Sequence, residues 1–143
     1  MKGEQKDGHV VLIGDSIFDN AAYVQANTEV IEQLNSVLPP HRKATLLAVD
    51  GATTGSISHQ VTAIPNDTSH IIISVGGNDA LLHKGLLDDK AESVAEVLAG
   101  LAEIQKSFRE AYKAVLDQVT ALRSSSAFRA WHRSSSKSPC PSS

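Results

Sequence analysis

His9-Val10-Val11-Leu12-Ile13-Gly14-Asp15-Ser16 is the stretch that decides the fold. Its apolar core has no polar alternation, is rich in β-branched residues, and ends abruptly in a glycine and two small polar residues. Such a run suits a strand covered on both faces, and strands of that kind belong to parallel sheets. Two more runs share the pattern, Leu46-Leu47-Ala48-Val49 and Ile71-Ile72-Ile73-Ser74-Val75. Between the first and second run, Asn27 is the expected N-cap and Glu29 and Glu32 occupy a dipole-favoured first turn. Val30, Ile31, Leu34 and Leu38 share one face, and Pro39-Pro40 stops the helix. Between the second and third, Ile57, Val61 and Ile64 keep helical spacing up to Pro65 and the turn formers Asn66-Asp67. The order β-α-β-α-β with right-handed crossovers predicts a three-layer α/β/α sandwich around a parallel sheet.

Beyond the third run, Val94, Val97, Leu98, Leu101, Ile104, Phe108, Tyr112, Val115, Leu116, Val119 and Leu122 recur at intervals of three, one and four. This predicts a long amphipathic helix, or a helix pair, with Asp88 and Asp89 near its start and its stripe in the core. A fourth strand is then due, but Arg123-Ser124-Ser125-Ser126 follows instead. A three-stranded sheet leaves a hydrophobic edge unpaired, so the domain reads as truncated after the third strand and the helices that follow it.

The chain has 143 residues, a formal net charge of −3 and 41% hydrophobic residues, the composition of one mildly acidic globular domain. All 16 acidic residues stand at or before Asp117, whereas residues 124–143 carry Arg129, Arg133 and Lys137 among nine serines. That segment is too poor in apolar residues to offset its ordering entropy. It is either a flexible basic tail or the product of a reading frame lost near Leu122. The expected organisation is therefore an N-terminal extension at 1–8, an incomplete domain at 9–122 and a Ser-rich basic segment at 123–143. The lone Cys140 gives no disulfide and no cysteine metal site. No apolar stretch approaches a membrane span or a signal-peptide core, so the expectation is a cytoplasmic protein without membrane contact. Three tail cations are too few to predict nucleic-acid binding. A mononucleotide site is disfavoured because no Gly-x-Gly-x-x-Gly or phosphate-loop pattern is present, and Asp15 and Asp19 in the first turn would repel a phosphate.

In open α/β sheets ligands bind beyond the carboxyl ends of the strands, where this sequence places Gly14-Asp15-Ser16, Asp50-Gly51-Ala52-Thr53-Thr54-Gly55 and Gly76-Gly77-Asn78-Asp79. Each segment alone reads as well as an ordinary turn or cap. Together they hold parts that acyl transfer needs: the Ser16 hydroxyl, the Gly55 N–H and the Asn78 amide, which with the Ser16 N–H would form an oxyanion hole.

Gly14-Asp15-Ser16-Ile17 after the first strand, a glycine opening the second helix, and Gly76-Gly77-Asn78-Asp79 after the third strand resemble the first three sequence blocks of the SGNH hydrolases, the GDSL esterase/lipase family. The resemblance spans residues 9 to about 122. It implies a flavodoxin-like sheet and hydrolysis of small-molecule esters, thioesters or acetylated substrates without metal or organic cofactor. It casts Ser16 as the nucleophile and the Ser16 N–H, Gly55 N–H and Asn78 side chain as the oxyanion hole. Gly51 is the alternative glycine, and Asp15 and Asp79 are supporting residues. The family's fourth landmark, an Asp-x-x-His near the C-terminus that supplies the general base, has no counterpart. His132 is the only histidine after His83, and Arg129 stands three residues before it. Without a base a serine hydroxyl is a weak nucleophile, so the expectation is little or no activity. Of the other histidines, His9, His41 and His70 fall at the wrong end of the sheet, His59 lies one turn into the second helix, and His83, five residues after Asn78, lies on the correct side, where a surface-loop role outweighs that of a base. The competing reading is a non-catalytic binding module or vestigial fragment of the same fold, able to self-associate through its exposed edge strand.

Overall fold

The computed structural model describes residues 7–88 and 90–124. Most of the expected N-terminal extension and nearly all of the Ser-rich segment, with Arg129, His132 and Cys140, lie outside the described residues. Three parallel strands, β1 (Gly8–Gly14), β2 (Arg42–Leu46) and β3 (His70–Ser74), form one sheet in the order β2-β1-β3. The first strand of the chain is thus the central one. Val11 and Ile13 are completely buried and Leu12 nearly so, the outcome that an apolar run without alternation requires.

From β1 the chain moves outward to β2 and then returns across β1 to β3. Under the right-handed crossover rule this reversal sends α1 (Val30–Val37) and α2 (Ile57–Thr62) to opposite faces of the sheet. The reversal makes the carboxyl ends of β1 and β3 a switch point, the place at which α/β sheets hold their ligands. The architecture is the α/β parallel sheet expected. Among the described residues β3 pairs only with β1, and Ile72 on that edge is 45% exposed.

The second strand lies earlier than its apolar run suggests, at 42–46 rather than 46–49. The reason is a bulge: the N–H groups of Leu47 and Ala48 both donate to the carbonyl of Leu12 (2.9 and 3.0 Å), so the ladder breaks there. The chain still follows β1 to Val49, whose N–H reaches the Gly14 carbonyl at 3.1 Å. Helix α1 also departs from expectation. Asn27 takes a left-handed φ of 66° and caps nothing. The cap comes from ten residues upstream, where Asn20 Oδ1 accepts the N–H of Val30 at 3.0 Å.

One core joins Val11 and Ile13 of β1 to Ile57 and Val61 of α2 and to Val115 and Val119 of the long helix α4 (Val94–Ser124). The apolar stripe of α4 is core only in its second half. Val94 and Leu98 are 76% and 60% exposed, against 2% for Val115. Length explains this: a helix of 31 residues runs about 46 Å, while a five-residue strand spans about 17 Å, so much of α4 overhangs the sheet. The helix begins after Ser93, whose hydroxyl accepts the Glu96 N–H at 3.2 Å.

The exit from β1 is held by a side chain. Gln60, on the inward face of α2 and 6% exposed, accepts the Gly14 N–H at 2.7 Å and donates its own N–H to the Gly14 carbonyl at 2.8 Å. Gly14 has φ +140°, and a Cβ there would lie 1.8 Å from the carbonyl oxygen of Ser74. Gly14→Ala is therefore expected to remove about 3 kcal/mol or more of stability, measured as a lower urea midpoint. Gly8→Ala at the other end of β1, where the new methyl meets only the flexible Arg42 side chain at 3.3 Å, should stay within about 1 kcal/mol of the parent.

Candidate active site

Beyond Gly14 the backbone keeps one more bond to β3, from the Asp15 N–H to the Ser74 carbonyl at 3.0 Å. The buried Asp15 then closes its own turn twice. Its carbonyl accepts the N–H groups of Phe18 and Asp19 (both 3.1 Å), and its Oδ1 accepts that of Ile17 at 3.1 Å. A small carboxylate folded back on its own backbone is a turn former by chemistry. Ser16 stands on this turn, half-buried. Among the described residues neither its N–H nor its hydroxyl has a hydrogen-bond partner.

The loops after β2 and β3 belong to strands that do not touch, since β1 lies between them, yet the loops are bonded to each other. Asn78 Nδ2 donates to the Ala52 carbonyl at 2.9 Å. The Asp79 carboxylate accepts the Thr54 N–H at 3.0 and 3.2 Å and the Thr54 hydroxyl as well. Thr54 is buried and opens a 3-10 turn, Thr54–Ser56, with the exposed Gly55 at its middle. The turn is locked by Ser56, whose hydroxyl accepts the Thr53 N–H and donates to the Thr53 carbonyl, both at 3.0 Å. Asn78 and Asp79 thus sit at the start of α3 (Gly77–Leu82), tied directly to the loop that carries Gly55. With one N–H of its amide spent on Ala52, Asn78 keeps a second N–H for another acceptor. Gly51 lies exposed on the turn closed by the Ala52 N–H and the Val49 carbonyl at 3.1 Å. Neither Gly51 nor Ser16 is hydrogen-bonded to Asn78 or Asp79.

A further segment leans over the turn that holds Gly51. Asp19 Oδ2 accepts the Asp50 N–H at 2.8 Å, and the Tyr23 hydroxyl donates to Asp50 Oδ2 at 2.7 Å. That hydrogen bond and the Asp50 charge hold the Tyr23 hydroxyl above its usual range.

On the other side a cleft of about 510 Å³ opens between the Thr53–Gly55 turn, α3 and α4. Phe108 of α4 forms part of its wall and packs directly on the backbone of Gly76. A Cβ at Gly76 would lie 2.8 Å from the Phe108 ring, and Gly76 holds φ +127°. The ring also meets Tyr112, with centroids 5.7 Å apart.

The histidines divide between the two ends of the sheet. His9 is buried at the amino end, its Nδ1 2.8 Å from Asp67 Oδ1 and its Nε2 2.7 Å from Thr45 Oγ1. Asp67 and His70 have Asp-x-x-His spacing, but they stand at that same amino end, and Asp67 binds His9 and Lys43 instead of His70. His59 and His83 are exposed at the carboxyl end, His59 beside Gly51 and His83 in the cleft with Gly55 and Asp79. No described histidine hydrogen-bonds Ser16. Among the described residues no cluster of three His, Cys, Asp or Glu side chains is placed to hold a metal ion, and no helix is long and apolar enough to cross a membrane.

Three residues that shape this end, Gln60, Thr54 and Phe108, are not among the site residues that the sequence points to. Gln60 leaves one signal, being the polar member of the Ile57, Val61, Ile64 face. Thr54 stands in the sequence only as part of the loop that carries Gly55, and Phe108 only as a member of the α4 stripe.

No family model matches this chain, and no curated protein matches it. Among solved structures its fold is similar to that of AlinE4, an SGNH-hydrolase family esterase. The identity is 21% over 76% of this chain and 56% of that one, with a TM-score of 0.44. Two mutants of the same esterase match with the same coverage and TM-score, at 21% and 20% identity. This chain thus spans little more than half the length of those it matches.

The polar cluster at the amino end predicts how acid acts on the fold. The hydrogen bond from Lys43, then that from His9, holds the Asp67 carboxyl below its ordinary value of 3.8. A carboxyl depressed in the folded state adds stability above its unfolded value and loses it as pH falls through the folded one. The stability difference between the parent and Asp67→Asn, from urea midpoints, should therefore shrink from its value at about pH 5 as pH drops below 3.8.

Proposed function

We propose that this chain carries the nucleophile and oxyanion half of a serine ester hydrolase, with Ser16 as nucleophile and the Ser16 N–H, Gly55 N–H and Asn78 amide as the oxyanion hole. One observation carries the reading. Among the described residues Ser16 stands unbonded at the end of the central strand, and the loops beyond the two outer strands are tied to each other through Asn78–Ala52 and Asp79–Thr54. Donors fixed in this way need no reorganisation when charge develops on a carbonyl oxygen. Asp15 and Asp79 are supporting residues whose carboxylates are occupied by backbone N–H groups. The likeness of Gly14-Asp15-Ser16 and Gly76-Gly77-Asn78-Asp79 to the SGNH blocks supports the same roles.

In the reaction, a bond forms between Ser16 Oγ and the ester carbonyl carbon, and the bond to the alcohol oxygen breaks. The alcohol leaves with the proton from the serine hydroxyl, and water then releases the acid and restores the hydroxyl. With no described histidine hydrogen-bonded to Ser16, solvent must carry that proton from the hydroxyl to the departing alcohol, and turnover is low. Loss of the base in such a triad costs on the order of 10⁶ in turnover, while binding and the oxyanion hole keep roughly 10³–10⁴ over water. The domain is thus a slow hydrolase.

A fluorophosphonate probe tests this, read by intact mass and peptide mapping. Ser16 should be modified slowly in the parent and not at all in Ser16→Ala, and Asn78→Ala should slow labelling by about 10²-fold or more. A folded parent left unmodified at Ser16 overturns the nucleophile assignment. The open edge of β3 supports a second proposal, that chains associate through it. Elution on gel filtration should then shift to larger size with rising concentration, and Ile72→Lys should abolish the shift.

A further inference from the structure

We propose that Thr45 is a second acyl acceptor, at the amino end of the sheet, with His9 as its base and Asp67 as the residue that orients the base, and that it takes its acyl group from a small acyl phosphate. The site lies at the opposite end of the sheet from Ser16 and stands whether or not Ser16 is a nucleophile. Its placement follows from the register. β1 and β2 run parallel with His9 opposite Lys43 and Val11 opposite Thr45. Strand side chains alternate, so His9, Lys43 and Thr45 share one face. Asp67 joins them from the turn between α2 and β3.

The three groups form a relay. Asp67 Oδ1 lies 2.8 Å from His9 Nδ1, and Asp67 Oδ2 takes Lys43 Nζ at 2.7 Å. The hydrogen bond from Lys43, then that from His9, holds the Asp67 carboxyl low, so the carboxylate is an acceptor only. His9 Nδ1 therefore carries a proton, and in the neutral ring Nε2 turns its lone pair to the Thr45 hydroxyl, 2.7 Å away. Nucleophile, base and orienting carboxylate in this order are the parts that activate a hydroxyl, and they are recognised by geometry rather than by place in the chain. Burial is divided as that role requires. His9 is 4% exposed, whereas Thr45 is only half-buried and keeps surface for a reactant.

The donor is read from the space beside the relay. A cavity of about 380 Å³ is lined by His9, Lys43 and Asp67 together with Gly8 and Arg42. The Arg42 stem rests on Gly8, and among the described residues its guanidinium has no ion pair or hydrogen-bond partner. A guanidinium matches a phosphate by two parallel hydrogen bonds. Of the two carboxylates on the cavity, Asp67 is covered by Lys43 and His9, and Asp7 lies exposed to solvent. In the step, a bond forms between Thr45 Oγ1 and the acyl carbon, and the bond from that carbon to the phosphate oxygen breaks. The hydroxyl proton passes to His9 Nε2 and from it to the departing phosphate, which Arg42 holds. The products are a Thr45 ester and inorganic phosphate.

Acetyl phosphate incubated with the whole chain, followed by digestion and peptide mapping, tests the site. Thr28 and Thr62 are internal references, exposed threonines whose hydroxyls donate to backbone carbonyls at 2.6 and 2.8 Å. A positioned general base contributes about 10²-fold or more, so Thr45 should gain acetyl at least about 10²-fold faster than either reference. Asp67→Asn, at a half-exposed position and with its fold checked by circular dichroism, should lose most of that advantage. Thr45→Ser should keep it, because it keeps the hydroxyl. Phenyl acetate, a donor without phosphate, should show a smaller preference for Thr45 over Thr28 than acetyl phosphate does. Thr45 acetylated no faster than Thr28 and Thr62, an advantage that survives Asp67→Asn or is lost in Thr45→Ser, or acetyl found on Lys43 in place of Thr45 overturns the relay. An equal or greater preference with phenyl acetate overturns the phosphate assignment and leaves the relay standing.

Discussion

At the end of β1 a side-chain amide replaces part of the sheet. Gln60 gives Gly14 both an acceptor and a donor, at a point where the backbone turns through a conformation that only glycine adopts readily. An orphaned buried N–H costs about 1–3 kcal/mol, so the α2 face and the exit of the central strand are held in one relation. The direction of Asp15, the turn it closes and the position of Ser16 all follow from that relation. The same contact joins the core to the site, because Ile57 and Val61 on either side of Gln60 pack on Val11 and Ile13.

The second constraint spans the sheet from above. β2 and β3 are separated by β1, and the ladder gives them no mutual contact. Asn78 and Asp79 supply it beyond the strand ends, by bonding to Ala52 and to Thr54. Each bond uses a group on a loop, where no ladder exists to fix geometry. A strand order that doubles back at β1 makes this bridge possible, because it brings the loops of both outer strands to the mouth of the central one.

What could be read in the sequence divides along the range of the interactions involved. Apolar runs and turn residues are local, so Val10–Ile13 and Ile71–Val75 announce strands, and Gly14-Asp15-Ser16 and Gly76-Gly77-Asn78-Asp79 announce loops at their ends. Only the first run is buried as its lack of alternation suggests; the third is an edge strand with no fully buried residue, because β1 covers one side of it alone. The bulge at Leu47–Ala48 is not local, for it depends on what Leu12 offers across the sheet. The same is true of the cap on α1, where Asn20 reaches over ten residues and overrides the better-placed Asn27. The α4 stripe was visible but its burial was not, since periodicity says which face is apolar and only the length of the sheet says how much of that face is covered. The candidate site shows the same division. Ser16, Gly55 and Asn78 were legible as residue types at strand ends, whereas the Thr54 tie, the Gln60 bracket and the Phe108 contact arise from tertiary pairing.

The central place of β1 has a consequence for the order of synthesis. Of the three described strands β1 is made first, and its neighbours on both sides are made later, at 42–46 and 70–74, with its cover from Val115 and Val119 later still. Until Ser74 has emerged, Val10–Ile13 is an apolar strand with at least one open side, and the bracket on Gly14 must wait for Gln60. Contacts so distant in sequence fold slowly and leave adhesive segments exposed while they wait. The residues that place Ser16 are therefore the ones that a growing chain must protect longest.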